Sequence, residues 1–284
     1  MIKIQIYKEF IKSTNQFFID VDFTLKKGSF NALFGGSGSG KTSILNVISG
    51  IKYANKGFVS VSDVVWLDTD KKINLPINKR KIGVVFQNSV LFPHLTVYEN
   101  LVFSKDKNDS FDLMNELIEL FSISDLLNSS PDALSGGQKQ KVAIVRALVR
   151  NPDLLLLDEP FSAIDAEQRK QIQNSLIKAH QKLKFTALVV SHDLEEVVRL
   201  SENIFMLENG IIVKKGSAFS LFEQKDEEDS IRLTGIVLSI EKTETIQKMK
   251  VLIENEIHTI ERMDTNFQIG DRIVLDLKKN KIQF

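Results

Sequence analysis

The sequence predicts an α/β fold in which helices cover both faces of a mostly parallel sheet, followed by a small β domain. Two segments, "DLLLLDEP" at 153–160 and "FTALVVSHD" at 185–193, contain continuous apolar runs, as in strands buried on both faces. Stretches with helical spacing, at 111–127 and after residue 135, alternate with such strands. Short alternating runs follow residue 230. Strands that alternate with helices favour a parallel sheet.

The first 34 residues are predicted to form antiparallel strands, at Met1–Tyr7, Phe17–Leu25 and Ser29–Phe34. Lys26, Lys27 and Gly28 mark a turn between the second and third of them. Further strand patterns span 57–67 and 81–87. We therefore expect an antiparallel β region beside the parallel sheet.

A change in composition predicts the domain boundary. The charged stretch at 223–229 is typical of a linker, which gives a main domain at 1–222 and a β tail at 230–284. The tail is too short to bury a large core. We expect it to pack against the main domain or against an identical copy.

Composition excludes several classes of protein. The chain has 37 Lys and Arg residues and 37 Asp and Glu residues, so no net charge favours nucleic acid, and no nucleic-acid partner is expected. It has no cysteine, which excludes disulfides and thiolate metal sites. No secretion signal is recognised, and no apolar run approaches the length of a membrane span. We expect a soluble chain that reaches a membrane only through a partner.

The segment "GGSGSGKT", Gly35 to Thr42, fits the phosphate-binding pattern G-x-x-x-x-G-K-[ST] between a strand and a helix. Glycines let backbone N–H groups approach a polyphosphate, and the following helix presents its positive end to it. Lys41 can reach the β- and γ-phosphates, and the Thr42 hydroxyl can bind Mg²⁺. The alternative is a Gly/Ser turn that carries a lysine by chance.

Two acids, Asp158 and Glu159, close the apolar run at 154–158. Ligands of such sheets bind at the carboxyl ends of the strands. Asp158 is therefore expected to hold Mg²⁺, and Glu159 to polarise a water molecule. The alternative is a strand end that becomes acidic only because it meets solvent.

The string "LSGGQ", Leu134 to Gln138, begins a helix with a serine and two glycines. It predicts a second anion-binding helix N-terminus. A plain N-cap serine in front of a flexible loop is the alternative.

These motifs, in this order, resemble the nucleotide-binding subunit of an ABC transporter over about residues 1–222. "GGSGSGKT" is similar to the Walker A motif, "LSGGQ" to the signature, and "LLLLDE" to Walker B. Gln87 resembles the Q-loop glutamine, Ser162–Asp165 the D-loop, and His192 the switch histidine. The resemblance implies a P-loop NTPase fold, with an antiparallel β subdomain and a helical subdomain at about 91–140.

The resemblance implies ATP and Mg²⁺ as cofactors. Two copies would form a head-to-tail homodimer with each ATP between Walker A of one copy and the signature of the other. Glu159, Gln87 and His192 would be catalytic, and Thr42, Gln87 and Asp158 would serve the metal. The nucleotide would contact Gly35, Gly36, Ser37, Gly38, Ser39, Gly40, Lys41, Thr42 and Ser43, and the partner copy's Ser135, Gly136, Gly137 and Gln138.

Two residue assignments stay open. An aromatic side chain is expected to stack on adenine, but Tyr7, Phe10 and Phe17 are equal candidates. Taken alone, His192 could also be a core or capping histidine.

The segment at 91–97, "LFPHLTV", resembles the importer segment that receives a helix of the membrane-embedded permease. Leu91, Phe92, Leu95 and Val97 would form its apolar socket, although ordinary core packing is the alternative. The tail is similar to the oligonucleotide/oxyanion-binding-like domain of importer ATPases. The expected partners are permease subunits and, indirectly, an extracellular or periplasmic solute-binding protein, which would hold the chain at the cytoplasmic face of the membrane.

Within the importers, the stretches at 29–51 and 74–101 resemble molybdate importer ATPases. Molybdate is thus the expected substrate, with sulfate, a polyamine or another small solute as alternatives. A soluble regulatory ABC ATPase without a permease is an alternative of another class.

Overall fold

The computed structural model describes residues 1–11, 16–105, 110–162, 164–222, 230–242, 247–253, 256–262, 267–269 and 271–278. The chain divides into two compact units, Met1–Glu223 and Gln224–Phe284. The predicted linker at 223–229 lies outside the described residues.

One sheet runs through the first unit. Its described strands are β1 (Ile2–Ile11), β2 (Gln16–Leu25), β3 (Phe30–Phe34), β4 (Lys56–Val61), β5 (Val64–Asp68), β6 (Ile73–Asn74), β7 (Ile82–Val85), β8 (Leu154–Asp158), β9 (Thr186–Ser191), β10 (Asn203–Glu208) and β11 (Ile211–Gly216). They lie in the order β6-β5-β4-β1-β2-β11-β10-β3-β9-β8-β7. The helices are α1 (Lys41–Ser49), α2 (Val97–Ser104), α3 (Asp112–Leu120), α4 (Gly136–Leu148), α5 (Ala166–Leu183), α6 (Leu194–Leu200) and α7 (Ala218–Phe222).

One half of the sheet is parallel and carries the candidate site. It consists of the neighbouring strands β10, β3, β9, β8 and β7. Strands β8 and β9 are buried along their whole length, as their continuous apolar sequences predict. Alternate residues of β8 pack into two different apolar clusters, Leu155 and Leu157 into one, Leu154 and Leu156 into the other. The parallel half is therefore covered on both faces.

The antiparallel prediction is right for β1 and β2 but wrong for β3. Strands β1 and β2 pair antiparallel from Ile2↔Leu25 to Ile11↔Gln16. Strand β3 instead lies parallel between β9 and β10. Phe30 and Leu33 are both buried, on opposite faces of the sheet, which only a central strand allows.

The strand predicted at 57–67 is two strands. β4 and β5 form a hairpin whose turn residues, Ser62 and Asp63, have φ angles of 47° and 69°. Such a turn follows the right-handed twist of the strands. The two consecutive polar residues interrupt the alternation between Val61 and Val64, which is the signal in the sequence that marks the turn.

The helical region comprises α2, α3 and α4, with 3₁₀ turns at Ser124–Leu126 and Pro131–Ala133. The helix predicted at 111–127 ends at Leu120, because Ser122 adopts a φ of 52°. Ile123 is fully buried after this break, so the apolar spacing continued where the helix did not.

The second unit is described as an antiparallel sheet in the order β14-β13-β12-β15. Its strands are β12 (Ser230–Lys242), β13 (Gln247–Ile253), β14 (Glu256–Arg262) and β15 (Arg272–Lys278). Val237, Met249, Val251, Ile253 and Ile273 form its small core. In the described parts of both units, no helix combines the length and apolarity needed to cross a bilayer.

Candidate functional site

The glycine loop connects β3 to α1. Gly40, with a φ of 103°, is the N-cap of α1 and leaves the helix end without a side-chain cap. A Cβ atom on Gly40 would lie 3.0 Å from Ile19, and one on Gly35 would lie 2.3 Å from the Leu207 carbonyl oxygen. The loop thus needs glycine at both positions, and the free N–H groups of α1 can serve an anion.

Lys41 is 5% exposed, and its ammonium group is held by the loop itself. Nζ donates to the carbonyl oxygens of Gly35 (2.9 Å) and Gly36 (2.8 Å). Burial lowers the pKa of Lys41, while Glu159 and Asp158 raise it. Among the described residues, no carboxylate lies within salt-bridge distance of this ammonium, so a phosphate is the natural counter-ion.

Thr42 and Asp158 meet at the carboxyl end of β8. The Thr42 hydroxyl donates to Asp158 Oδ1 over 3.0 Å. Burial raises the pKa of Asp158, and the bond from Thr42 opposes that rise. A hydroxyl and a carboxylate are hard oxygen ligands, and Mg²⁺ is usually bound by one or two of these together with phosphates and water. These residues therefore fit Mg²⁺. In the described ranges no three or more His, Asp or Glu side chains cluster as a self-sufficient metal site.

Glu159 and His192 face each other across the ends of β8 and β9. Nδ1 of His192 lies 3.2 Å from Glu159 Oε1. The histidine side chain is 57% exposed, whereas that of Glu159 is 16% exposed. Glu159 adopts a φ of 42°, which is strained for a residue with a side chain. The backbone is thus bent to present the Glu159 carboxylate at this edge of the sheet.

These residues border one cavity of about 580 Å³. Its lining contains eight of the predicted site residues from the loop, Q-loop and Walker B positions, together with two aromatic side chains: Ser37, Gly38, Gly40, Lys41, Thr42, Ser43, Gln87 and Glu159, with Phe10 and Phe17. Asp158 reaches it through Thr42, and His192 through Glu159. Gly35, Gly36 and Ser39 belong to the loop but do not line the cavity.

The folded chain separates the three aromatic candidates for stacking on adenine, because Phe10 and Phe17 line the cavity and Tyr7 does not. They are cross-strand partners on β1 and β2, with ring centroids 5.6 Å apart. Tyr7 points to the other face, where it contacts Phe18 and donates to Glu9 Oε1. The strand period of two could have separated Tyr7 from Phe10, but the register to β2 was needed to find the pair.

The "LSGGQ" string lies at the start of α4, away from this cavity's lining. Ser135 caps the helix: its hydroxyl accepts from Gln138 N (3.3 Å), and Ser135 N donates to Gln138 Oε1 (2.9 Å). Gly136 is exposed, and a Cβ on Gly137 would meet the Gln168 side chain. The capping box therefore takes the N–H of Gln138, and it is compatible with an anion at the N–H groups of Gly136 and Gly137.

The predicted permease socket needs correction. Leu91 and Val97 are 8% and 0% exposed and belong to the core of the helical region. Their side chains pack into this core and do not form a socket on the surface. Phe92 and Leu95 are half-buried, and Phe92 packs edge-on against Phe103 at 4.8 Å.

Of the predicted D-loop, Ala163 lies outside the described residues.

The fold and the cavity define a class of protein, the P-loop ATPase domain that binds a nucleoside triphosphate at a glycine loop. A family model described as "ABC transporter" matches residues 18–162. The chain belongs to the ABC transporter family. The resemblance and the fold class predicted from the sequence are thereby confirmed.

Several known proteins are similar to this chain. The molybdenum import ATP-binding protein ModC of Vibrio parahaemolyticus is 41% identical over 76% of this chain and 57% of its own length. The spermidine/putrescine import ATP-binding protein PotA of Thermotoga maritima is 34% identical over 96% of this chain and 76% of its own. The chain thus spans little more than half of the ModC protein.

Among solved structures, the dimeric ATP-binding cassette MJ0796, bound to ADP and Pi in a post-hydrolysis state, has a TM-score of 0.66 and 30% identity. The match covers 77% of this chain and 99% of that cassette.

Proposed function

We propose that this chain is the ATP-hydrolysing subunit of an ABC importer. The observation that carries the proposal is the single cavity where the Lys41 ammonium, the Thr42–Asp158 pair and the Glu159–His192 pair converge. Residues 1–222 would contain this activity, with 223–229 as a linker and 230–284 as the β tail.

The phosphates of ATP would lie along Gly35–Ser43, where Lys41 exchanges its two carbonyl partners for phosphate oxygens. Mg²⁺, held by Thr42, Asp158 and Gln87, would neutralise charge on the β- and γ-phosphates. Glu159 would accept the proton of the water that attacks the γ-phosphorus, while the bond to the β–γ bridging oxygen breaks. His192 would contact the γ-phosphate from its exposed position beside Glu159.

A homodimer would complete each site. Ser135, Gly136, Gly137 and Gln138 do not line the cavity of their own chain, so their helix end is available to ATP bound by a partner copy. The dimeric state of the similar MJ0796 cassette supports this arrangement.

The permease would dock beside the Q-loop. A groove of about 440 Å³ is lined there by Phe92, Phe103, Val84, Arg146 and neighbouring residues. Its apolar and aromatic floor suits an amphipathic helix of a membrane subunit. This docking would hold the chain at the cytoplasmic face, with a solute-binding protein acting on the other side.

For the transported solute we propose molybdate, because the ModC protein has the higher identity. A polyamine is the second candidate, because the match to PotA extends over 96% of this chain and so includes the tail.

The test of hydrolysis uses Glu159→Gln, Lys41→Ala and, as a matched control on the exposed face of α3, Glu119→Gln. Glu159→Gln should lower ATP turnover about 100-fold or more, since a general base contributes at least that much. It should still bind ATP and accumulate as a closed dimer in sedimentation. Lys41→Ala should lose most of its affinity for ATP in calorimetry, and Glu119→Gln should behave as the wild-type chain. Wild-type turnover in Glu159→Gln would refute the assigned role.

A further inference from the structure

Arg169, in the first turn of α5, contacts the segments that follow both Glu159 and His192. Its Nη1 atom lies 3.0 Å from Asp193 Oδ2 and 3.6 Å from Glu196 Oε1. Its Nη2 atom donates to the carbonyl oxygen of Ile164 over 3.4 Å. One guanidinium therefore joins the chain after β8 to the chain after β9, the two segments from which the catalytic pair projects.

Besides the contact between its imidazole and Glu159, the neighbours of His192 in the chain fix its backbone. Ser191, on one side, donates to Glu196 Oε2 (2.7 Å) and accepts from Asp193 N (3.0 Å). Asp193, on the other side, accepts through Oδ1 from the backbone of Glu195 and Glu196. Because the imidazole is largely exposed, its position depends on this backbone, which Arg169 fixes through Asp193 and Glu196.

Glu159 is fixed in a similar way. Its backbone N–H donates to Val190 O (3.0 Å), and its carbonyl accepts from the Ser162 hydroxyl (3.1 Å). Glu159 has a strained φ, and Arg169 holds the carbonyl oxygen of Ile164, five residues further along the chain.

The Arg169 guanidinium lies beside two carboxylates, those of Asp193 and Glu196. Glu196 is 5% exposed, and its burial raises its pKa, an effect that Ser191 and Arg169 oppose. Two carboxylates share one guanidinium, whose Nε–H is buried without a hydrogen-bond partner in the described structure. A buried N–H without an acceptor costs free energy, and the contacts of the other guanidinium nitrogens with Asp193, Glu196 and Ile164 hold Arg169 in this position despite that cost.

We propose that Arg169 is a positioning residue for ATP hydrolysis: it couples Ile164 to Asp193 and Glu196, and so keeps His192 and Glu159 within hydrogen-bonding distance. This inference rests on the proposed ATPase function. Arg169 does not line the cavity, and its described polar contacts are with Asp193, Glu196 and Ile164, so it would act through the catalytic pair and not through ATP binding.

The test compares Arg169→Gln with Arg169→Lys, Arg169→Gln/Glu196→Gln, and Arg199→Gln as a control. Arg199 donates to Asn174 Oδ1 (2.8 Å) and so also links α6 to α5, but it is exposed and does not contact either catalytic segment. Arg169→Gln should lower kcat about tenfold to 100-fold, the effect of a displacement of roughly 1 Å in a catalytic group. KM for ATP should stay within about twofold. The kcat of Arg169→Lys should lie between that of Arg169→Gln and that of the wild type, and the kcat of Arg199→Gln should match the wild type.

The double variant separates positioning from charge balance. Arg169→Gln/Glu196→Gln has no buried unpaired carboxylate at 196, so it should unfold near the wild-type temperature and still hydrolyse ATP slowly. Full recovery of kcat in the double variant would show that Arg169 only neutralises Glu196, and would overturn the proposal. Wild-type kcat in Arg169→Gln, with Glu159→Gln inactive, would also overturn it. A wild-type chain without turnover would instead refute the proposed function.

Discussion

At the residue scale, Phe10 and Phe17 give the cavity an aromatic wall opposite the phosphate loop. Phe17 reaches to 3.3 Å of the position that a Cβ on Gly40 would occupy, which brings this ring next to the start of α1. Lys8 Nζ lies 5.3 Å from the centre of the Phe10 ring, so that ring is also polarised by a cation. An adenine base with its phosphates at Lys41 can extend toward this wall.

We expect Phe17→Ala to weaken ATP binding about tenfold, since a base stacked on an aromatic ring contributes roughly 1–3 kcal/mol. Calorimetry with ATP and with inorganic tripolyphosphate would test this, because tripolyphosphate has no base and should keep its affinity. Phe18→Ala is the matched control, because Phe18 is the next residue on β2 and is 40% exposed on the other face. Equal losses for both ligands would contradict stacking.

At the scale of elements, the end of α1 is joined to the antiparallel strands by Arg80, which is 1% exposed. Its guanidinium donates to Leu75 O (2.8 Å), Trp66 O (3.2 Å) and Asn74 Oδ1 (2.9 Å), and also to the carbonyl oxygens of Val47 and Ile48 at the C-terminal end of α1. Burial lowers its pKa to about 10, so it remains charged at neutral pH. A cation at this end also suits the helix dipole.

Arg80→Met should therefore lower the free energy of unfolding by about 3 kcal/mol, because it leaves several buried carbonyl oxygens without donors. Lys79→Met, at the exposed preceding position, should change it by less than about 0.5 kcal/mol. Urea denaturation of the two variants would decide the matter. A loss below about 1 kcal/mol for Arg80→Met would show that water or a rearranged side chain replaces these donors.

At the scale of the whole molecule, the proposed role depends on partners that bind outside the cavity. The groove beside the Q-loop is lined by the half-buried Phe92 and the exposed Phe103. Arg146 stacks on Phe92 at 5.4 Å and donates to the carbonyl oxygen of Val90. A soluble regulatory ATPase would tolerate polar changes on this floor. An importer subunit would lose its coupling to transport.

We expect cells with Glu159→Gln in place of the native chain to lose uptake of trace molybdate, with sulfate and a polyamine measured in parallel. Phe103→Ser should reduce the same uptake while the purified chain keeps its ATP turnover, because Phe103 is 68% exposed and lies outside the catalytic cavity. If the variant loses polyamine uptake alone, the transported solute is a polyamine and not molybdate. Unchanged uptake of all three solutes in both variants would favour the soluble alternative.

By itself, the sequence determined the phosphate loop, the acid pair at the end of β8, the histidine after β9, and the strands buried on both faces. Each of these features is encoded by residues that are adjacent in the chain. The glycines of 35–42 are typical of a phosphate-binding loop, and the apolar runs within 154–158 and 186–191 are typical of strands buried on both faces. The sequence did not determine which strands and side chains lie next to each other. Only the tertiary structure placed β3 between β9 and β10, selected Phe10 and Phe17 over Tyr7, and buried Leu91 and Val97. It also brought Arg169 to Asp193, because contacts between distant segments depend on strand order and register, which local periodicity does not encode.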